Sequence, residues 1–508
     1  MLRHAVSLII LISLISCSEK EKSTQKNEES SNTAMTFTNP IFPGDHPDPS
    51  ILRDGDDFYM VHSSFEYYPG LLIWHSTDLI NWEPVGPALT EYVGSVWAPD
   101  LVKYEDKYYV YFPADNKNYV VSADNIEGPW SDPVLIDITM IDPGHVVDEQ
   151  GNRYLYFSSG SYVPLSKDGL TVTGEPKNVY DGWEIPREWS IECFCMEGPK
   201  LFKRGDYYYL TVAEGGTAGP ATGHMVISAR SKSPLGPWEN APHNPILRTA
   251  SQDERWWSVG HGTVFDDAEG NWYMIFHGYE KDHYNMGRQT MLVPLEWSED
   301  DWYRIPENIA INEAIPLPDL ENTIEQPFTL DDDFSGNSLK PQWRFFGGVD
   351  EERYHFEDDD LVLDGKGNSV ADASPMLTVP LDHSYTAQVE MEIGENAIGG
   401  LVLFYNERAF SGILTDGQNI LSNLRGWQFP TEENVVESNS VYLRLKNTEN
   451  IVDMYYSLDG QKWIKTANSF DVSGYHHNVL SGFMSVQIGL CAIGEGQVTL
   501  KDFEYIPH

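Results

Sequence analysis

The sequence predicts an all-β protein: a five-bladed β-propeller followed by a C-terminal β-sandwich of jelly-roll or lectin-like form. Three observations predict it. A pattern of short apolar runs, hairpin turns and aromatic-Tyr-apolar strands recurs five times in the first three hundred residues. From Asp331 onward the pattern changes to period-two alternation broken by turns. The chain is 13% aromatic with 41 Gly and 31 Pro, which favours strands and turns over helices.

The chain of 508 residues is too long for one core, and 41% hydrophobic content is enough to build more than one. A formal net charge of −45 argues against nucleic-acid binding, because phosphates need a basic face. It also argues against binding to an anionic membrane surface.

Residues 1–17 read as an address. Arg3 and His4 precede an apolar run from Ala5 to Ile15, too short to span a bilayer. The run ends in Leu14-Ile15-Ser16-Cys17, which resembles a bacterial lipoprotein signal. That resemblance implies lipidation of Cys17 and a lipid-anchored protein of the cell envelope, at the outer membrane or cell surface of a Gram-negative bacterium. The membrane is then a partner only through the anchor. Residues 18–37 are polar, charged and free of Gly and Pro, as expected of a solvated tether. Cys193, Cys195 and Cys491 remain. The first two stand too close in sequence to pair easily, and no zinc spacing exists, so buried free thiols are expected.

Residues 38–312 carry the repeat. Its strands read FYMVHSS at Phe58, YYVYFPA at Tyr108, RYLYFSS at Arg153, YYLTVAE at Tyr208 and WYMIFHG at Trp272. Gly-containing turns such as Gln150-Gly151-Asn152 and Glu269-Gly270-Asn271 precede them. About a dozen residues before each repeat tyrosine lies the start of the preceding strand. That position holds Asp48, Ala98, Asp142, Glu197 and His261 in blades one to five. Equivalent positions on innermost strands ring a propeller axis, so three carboxylates and a histidine converge on one mouth. Packing alone would place small or apolar residues there. A cluster of acids at one repeat phase therefore points to chemistry.

Residues 313–327, within a stretch punctuated by Pro306, Pro316, Pro318 and Pro327, read as a linker. Residues 328–508 read as the sandwich, with strands such as GLVLFY at Gly400 and VYLRLKN at Val441 and a hairpin at Ser457-Leu458-Asp459-Gly460. Its role is open among binding sugar, shaping the rim of the site and covering a blade face. The Asp331–Asp333 cluster reads as a solvated acidic turn before a Ca²⁺ site.

At the ring residues the sequence resembles glycoside hydrolase family 43. The matching stretches are HPDPSILRDGDDFYMVHSSFEYYPG, WAPDLVKYEDKYYVYF, MIDPGHVVDEQGNRYLYF, CMEGPKLFKRGDYYYL and VGHGTVFDDAEGNWYMIFHG. Within the family it looks most similar to β-xylosidases that carry a C-terminal concanavalin-like sandwich, and DDDFSGNSLKPQWRFF matches that domain's opening. Two departures stand out: Lys200 replaces the histidine usual after Glu-Gly-Pro, and Gly144-His145 replaces Ser-Leu.

The resemblance implies an inverting exo-glycosidase that removes terminal xylose from xylan-type polymers, with an α-L-arabinofuranosidase as the alternative. The acidity and the anchor extend the expected polymers to algal glycans such as ulvan. It implies Asp48 as general base, Glu197 as general acid and Asp142 as the carboxylate that raises the pKa of Glu197. The chemistry requires base and acid ~6.5–9.5 Å apart with a water between. Arg288, in MGRQT, is the implied grip on sugar hydroxyls. His261 is implied near the axis, holding a water network or a Ca²⁺; no cofactor is required, and Ca²⁺ would be structural. Trp97 and Phe65 are candidates to stack on sugar. Asp100 reads as structural, and His46 and His62 as candidates for the mouth. A reading from another class is a non-catalytic glycan-binding surface lipoprotein, which would have no use for a protonated Glu197.

Overall fold

A computed structural model describes residues 35–325, 327–432 and 440–508. Cys17 and the run before it lie outside the described residues. Among those described, no helix is long and apolar enough to cross a membrane.

Five antiparallel sheets form the blades. Their first strands are Ser50–Asp54, Asp100–Tyr104, Gly144–Val147, Met196–Arg204 and Trp256–Asp266. Each first strand contacts the first strands of both neighbouring blades, so the five close into a ring about the axis. The repeat turns explain the shared hairpins. In blades three and five, Asp148 and Asp267 accept from Asn152 Nδ2 and Asn271 Nδ2, each at 2.8 Å. Gly151 and Gly270 supply the left-handed residue, with φ of 79° and 88°. The ring is closed by the segment before blade one: Asn39 bonds Leu292 through both side-chain groups, and Ile41 and Phe42 donate to Thr290 O.

Thr36–Phe37, at the end of the expected tether, form a strand paired with Ile315–Pro316 of the expected linker. These flanking segments are thereby tied to each other.

Asp100 is the hub of the axial channel. Its carboxylate accepts from Ser50 Oγ of blade one (3.3 Å), His145 N of blade three (2.7 Å) and Lys200 Nζ of blade four (2.8 Å). Lys200 also donates to Pro99 O at 2.6 Å. The unusual lysine thus serves an ion pair inside the channel, with both side chains under 10% exposed. Asp100 stitches four blades together, which accounts for an acid so close to the ring phase.

The sandwich has two sheets, of eight and seven strands. Trp343, Leu401, Leu403, Leu443, Leu490 and Phe503 fill the space between them. The eighth strand of the larger sheet is Tyr67–Tyr68, which belongs to blade one and pairs with Phe345 and Phe346. Phe65 and Tyr67 are buried in the sandwich core. The SSFEYYPG stretch is therefore the seam between the two domains. The Asp331–Asp333 carboxylates are engaged by protein donors: Asp331 by Tyr505 N, Asp332 by Trp343 Nε1 and Asp333 by Ser335.

Breaking one half of a buried ion pair strands the other charge. Asp100→Ala is expected to lower unfolding stability by about 3–5 kcal/mol, measured by denaturant titration. Asp100→Asn combined with Lys200→Gln should recover part of that loss, because no charge is then left alone.

Candidate active site

Asp48, Asp142 and His261 enter the axis by the same backbone device. Each adopts a left-handed conformation, with φ of 57°, 58° and 56°: Asp48 and Asp142 just before their innermost strands, His261 at a register shift inside its own. Such residues cost on the order of 1–3 kcal/mol each and persist only where the surrounding structure holds them. In blade four that conformation belongs to Gly198, φ 58°, and Glu197 precedes it. A Cβ on Gly198 would lie 2.6 Å from His261 Nε2, so the ring is packed tightly enough to demand glycine there.

Asp48 is buried. Arg288 Nη1 donates to its Oδ1 at 2.8 Å and Ser63 Oγ to its Oδ2 at 2.5 Å. Its backbone N–H donates to His277 Nδ1 at 3.0 Å, and His277 Nε2 faces Thr217 Oγ1 at 3.3 Å. His277, pulled down to about 3 chiefly by burial, is a neutral acceptor. Burial pushes the Asp48 carboxyl up, but Arg288 and His261 outweigh it and hold it well below the usual carboxylate range.

Glu197 is pushed the other way, up to about 8, first by burial and then by the Asp142 charge. Asp142 is fixed by Gly198 N, which donates to its Oδ2 at 3.0 Å, so the residue after Glu197 anchors the carboxylate that acts on it. His261 Nε2 lies 3.6 Å from Asp142 and 4.0 Å from Asp48. Burial lowers its pKa, but Asp48, Asp142 and Glu197 together raise it above the ordinary histidine value. Its Nδ1 is buried without a protein partner, which leaves one nitrogen free to bond a water. His224 Nδ1 stands 3.7 Å from Glu197 Oε1.

All seven expected site residues line one pocket: Asp48, Phe65, Trp97, Asp142, Glu197, His261 and Arg288. Ala98, the blade-two ring residue, completes it with Ile141, Thr217 and Phe483. Phe483 comes from the sandwich. Its ring lies 5.8 Å from Trp97 and 5.7 Å from the Arg288 guanidinium, and His477 stacks behind it at 3.9 Å. The sandwich therefore shapes the rim of this pocket, one of the roles left open by the sequence. A second, open groove beside Met196 is lined by Trp183, Arg187 and Phe194.

Some expectations are corrected. Cys193 and Cys195 form a disulfide instead of staying free. Cys193 N donates to Gly215 O and Gly215 N to Cys195 O, which folds the three residues back on one point. Their Cα atoms come within 5.2 Å, inside the range a disulfide spans. Cys491 is a buried free thiol. His46 and His62 line a different cavity, at the domain seam with Asp45 and Arg344. Sequence reasoning missed His277, His224 and Phe483. His277 stands in the quoted WYMIFHG motif, but on a second strand, outside the ring phase. Nothing local marks Phe483.

A propeller whose mouth holds one protonated and one ionised carboxyl in one pocket defines a glycosidase, an enzyme that hydrolyses O-glycosyl bonds. The chain belongs to glycosyl hydrolases family 43, whose model matches residues 37–303, and residues 331–506 match the β-xylosidase C-terminal concanavalin A-like domain. It is 29% identical over 515 residues to a non-reducing end alpha-L-arabinofuranosidase of Bacteroides ovatus, covering 92% of this chain and 94% of that one. It is 30% identical over 492 residues to a xylan 1,3-beta-xylosidase of a Vibrio species, covering 84% and 90%. The solved structure of a xylan beta-1,4-xylosidase from Bacillus halodurans superposes with a TM-score of 0.81 at 26% identity, covering 92% of this chain and all of that one.

The pH profile follows from these shifts. With Glu197 in the general-acid role that the family resemblance implies, activity should persist through neutral pH and fall on a basic limb near pH 8. Asp142→Asn removes a negative neighbour, so Glu197 ionises at lower pH and the limb moves down. Because burial is the larger cause, the limb should stay above the pKa of a free glutamate. Initial rates across pH for both proteins read this directly, and the limb is a property of the coupled carboxyls together.

Proposed function

We propose that this enzyme removes terminal xylose from xylose-bearing oligo- and polysaccharides by single-step inverting hydrolysis. The observation that carries the reading is the opposite setting of two carboxyls in one pocket: Asp48 held ionised by Arg288, Glu197 held protonated. As a water attacks the anomeric carbon, Asp48 takes its proton. The glycosidic bond breaks as Glu197 gives its proton to the leaving oxygen. Asp48 ends protonated and Glu197 ionised, and a proton exchange with solvent resets them. The step needs no metal, since base and acid are both carboxyls.

Arg288 has a second role in this reading. Its Nε is buried without a protein partner, while Nη1 is committed to Asp48. The guanidinium therefore has donors left for sugar hydroxyls. Phe65, Trp97 and Phe483 supply apolar faces for the ring. The open groove lined by Trp183, Arg187 and Phe194 would take the leaving part of the substrate.

Relatives named for xylose and for arabinofuranose support the substrate class and keep α-L-arabinofuranosidase as the second reading. We further propose that a lipid on Cys17 anchors the enzyme to the cell envelope; radiolabelled palmitate incorporation, lost in Cys17→Ala, tests it.

Asp48→Asn and Glu197→Gln should each lower kcat on xylobiose by at least about a thousandfold, with the circular dichroism of the fold unchanged. On an aryl xyloside, whose leaving group needs little protonation, Glu197→Gln should lose much less and Asp48→Asn as much as before. Near wild-type turnover by Asp48→Asn, or a faster arabinofuranoside than xyloside reaction in the wild type, would overturn the mechanism or the substrate respectively.

A further inference from the structure

On the far side of the domain seam, His283, His383 and Glu449 each offer a ligand atom, all within 4.8 Å of one another. They come from both domains. His283 follows the blade-five strand Trp272–Glu280, His383 precedes the sandwich strand Tyr385–Ile393, and Glu449 sits in the turn after Ser440–Thr448. The two imidazoles stack face to face, with centroids 3.7 Å apart and planes 4° from parallel. Glu449 Oε2 lies 3.3 Å from His283 Nε2, and Glu280 Oε2 lies 2.8 Å from His383 Nε2.

The sandwich half of this cluster is rigidly held. Asn447 Nδ2 donates to both His383 O and Glu449 O, and Glu449 N donates to Ser384 Oγ. On the propeller side, His283 N donates to Glu280 O, while Glu280 is gripped by Arg255 at 2.7 Å. His283 Nδ1 is buried with no hydrogen-bond partner. A buried imidazole nitrogen without a partner is costly unless something occupies it, while the other nitrogen of the same ring, Nε2, already faces Glu449.

We propose that His283, His383 and Glu449 form a transition-metal site, selective for Zn²⁺ over Ca²⁺, that clips the propeller to the sandwich. Two imidazoles and one carboxylate suit zinc, with a water as fourth ligand, once the His283 ring turns out of the stack so that both in-plane lone pairs meet the ion. Calcium wants six to eight oxygens and gains little from nitrogen. Glu280 adds negative charge beside His383, as an outer partner that orients the ring. The site lies away from the reaction and acts on assembly. Neighbouring residues Tyr284 and His476 stack across the same seam, next to the His477 that backs Phe483.

The test uses the full chain purified without a histidine tag, stripped with EDTA and titrated calorimetrically with ZnCl₂ or CaCl₂. One zinc per chain is expected, with micromolar or tighter affinity and no comparable calcium binding. Glu449→Gln, on an exposed turn, should fold normally and weaken zinc at least tenfold, as should His383→Ala. Zinc at about a hundredfold excess over its dissociation constant should raise the melting temperature of the wild type and not of the variants. Cobalt(II) should give visible absorption bands in the wild type that Glu449→Gln loses. Absence of stoichiometric zinc binding, equal binding by the variants, or calcium binding as tight as zinc would each overturn the assignment.

Discussion

Three carboxyl groups share one small pocket, and they cannot all be charged. Everything else in the site follows from how that constraint is resolved. Arg288 lies against Asp48, so Asp48 keeps its charge despite burial. Glu197 has no such partner; its nearest histidine nitrogen, on His224, is 3.7 Å away and belongs to a ring that burial keeps neutral. The proton therefore settles on Glu197. Two carboxyls are thus set apart: Arg288 and His261 offset the burial of Asp48, while burial and the Asp142 charge push Glu197 up.

The fold supplies that position. Four of the five blades carry a left-handed residue at the axis, Asp48, Asp142, Gly198 and His261, and such residues persist only where the surrounding structure holds them. Asp100 and Lys200 brace the channel from within, and the segment around Asn39 ties blade one to blade five. The sandwich adds what a propeller lacks. Its larger sheet accepts a strand from blade one, and its Phe483 narrows an otherwise open mouth. A pocket narrowed in this way takes a chain end more readily than a chain middle.

Much of this was legible in the sequence. The repeats give the blades, and the repeat phase brings Asp48, Asp142, Glu197 and His261 to one pocket with Arg288, Trp97 and Phe65. The phase works because each blade is a local unit whose turns are written in Asp, Asn and Gly. It fails where a contact crosses blades or domains. His277 reaches Asp48 from a second strand, and Phe483 reaches the pocket from the far end of the chain. The Cys193–Cys195 pairing was hidden by the short separation, and the loop that holds the two cysteines is bonded to Gly215 from another part of the chain. The role of Lys200 was hidden for the same reason: its partner Asp100 belongs to another blade.

The division of labour between Asp48 and Glu197 has one direct signature, the configuration of the sugar at the instant of release. With a β-xyloside as substrate, proton NMR of the product, recorded before mutarotation, should show α-xylose appearing first. Initial release of β-xylose would mean that a carboxylate attacks the sugar itself, and would contradict a separate base and acid acting through water.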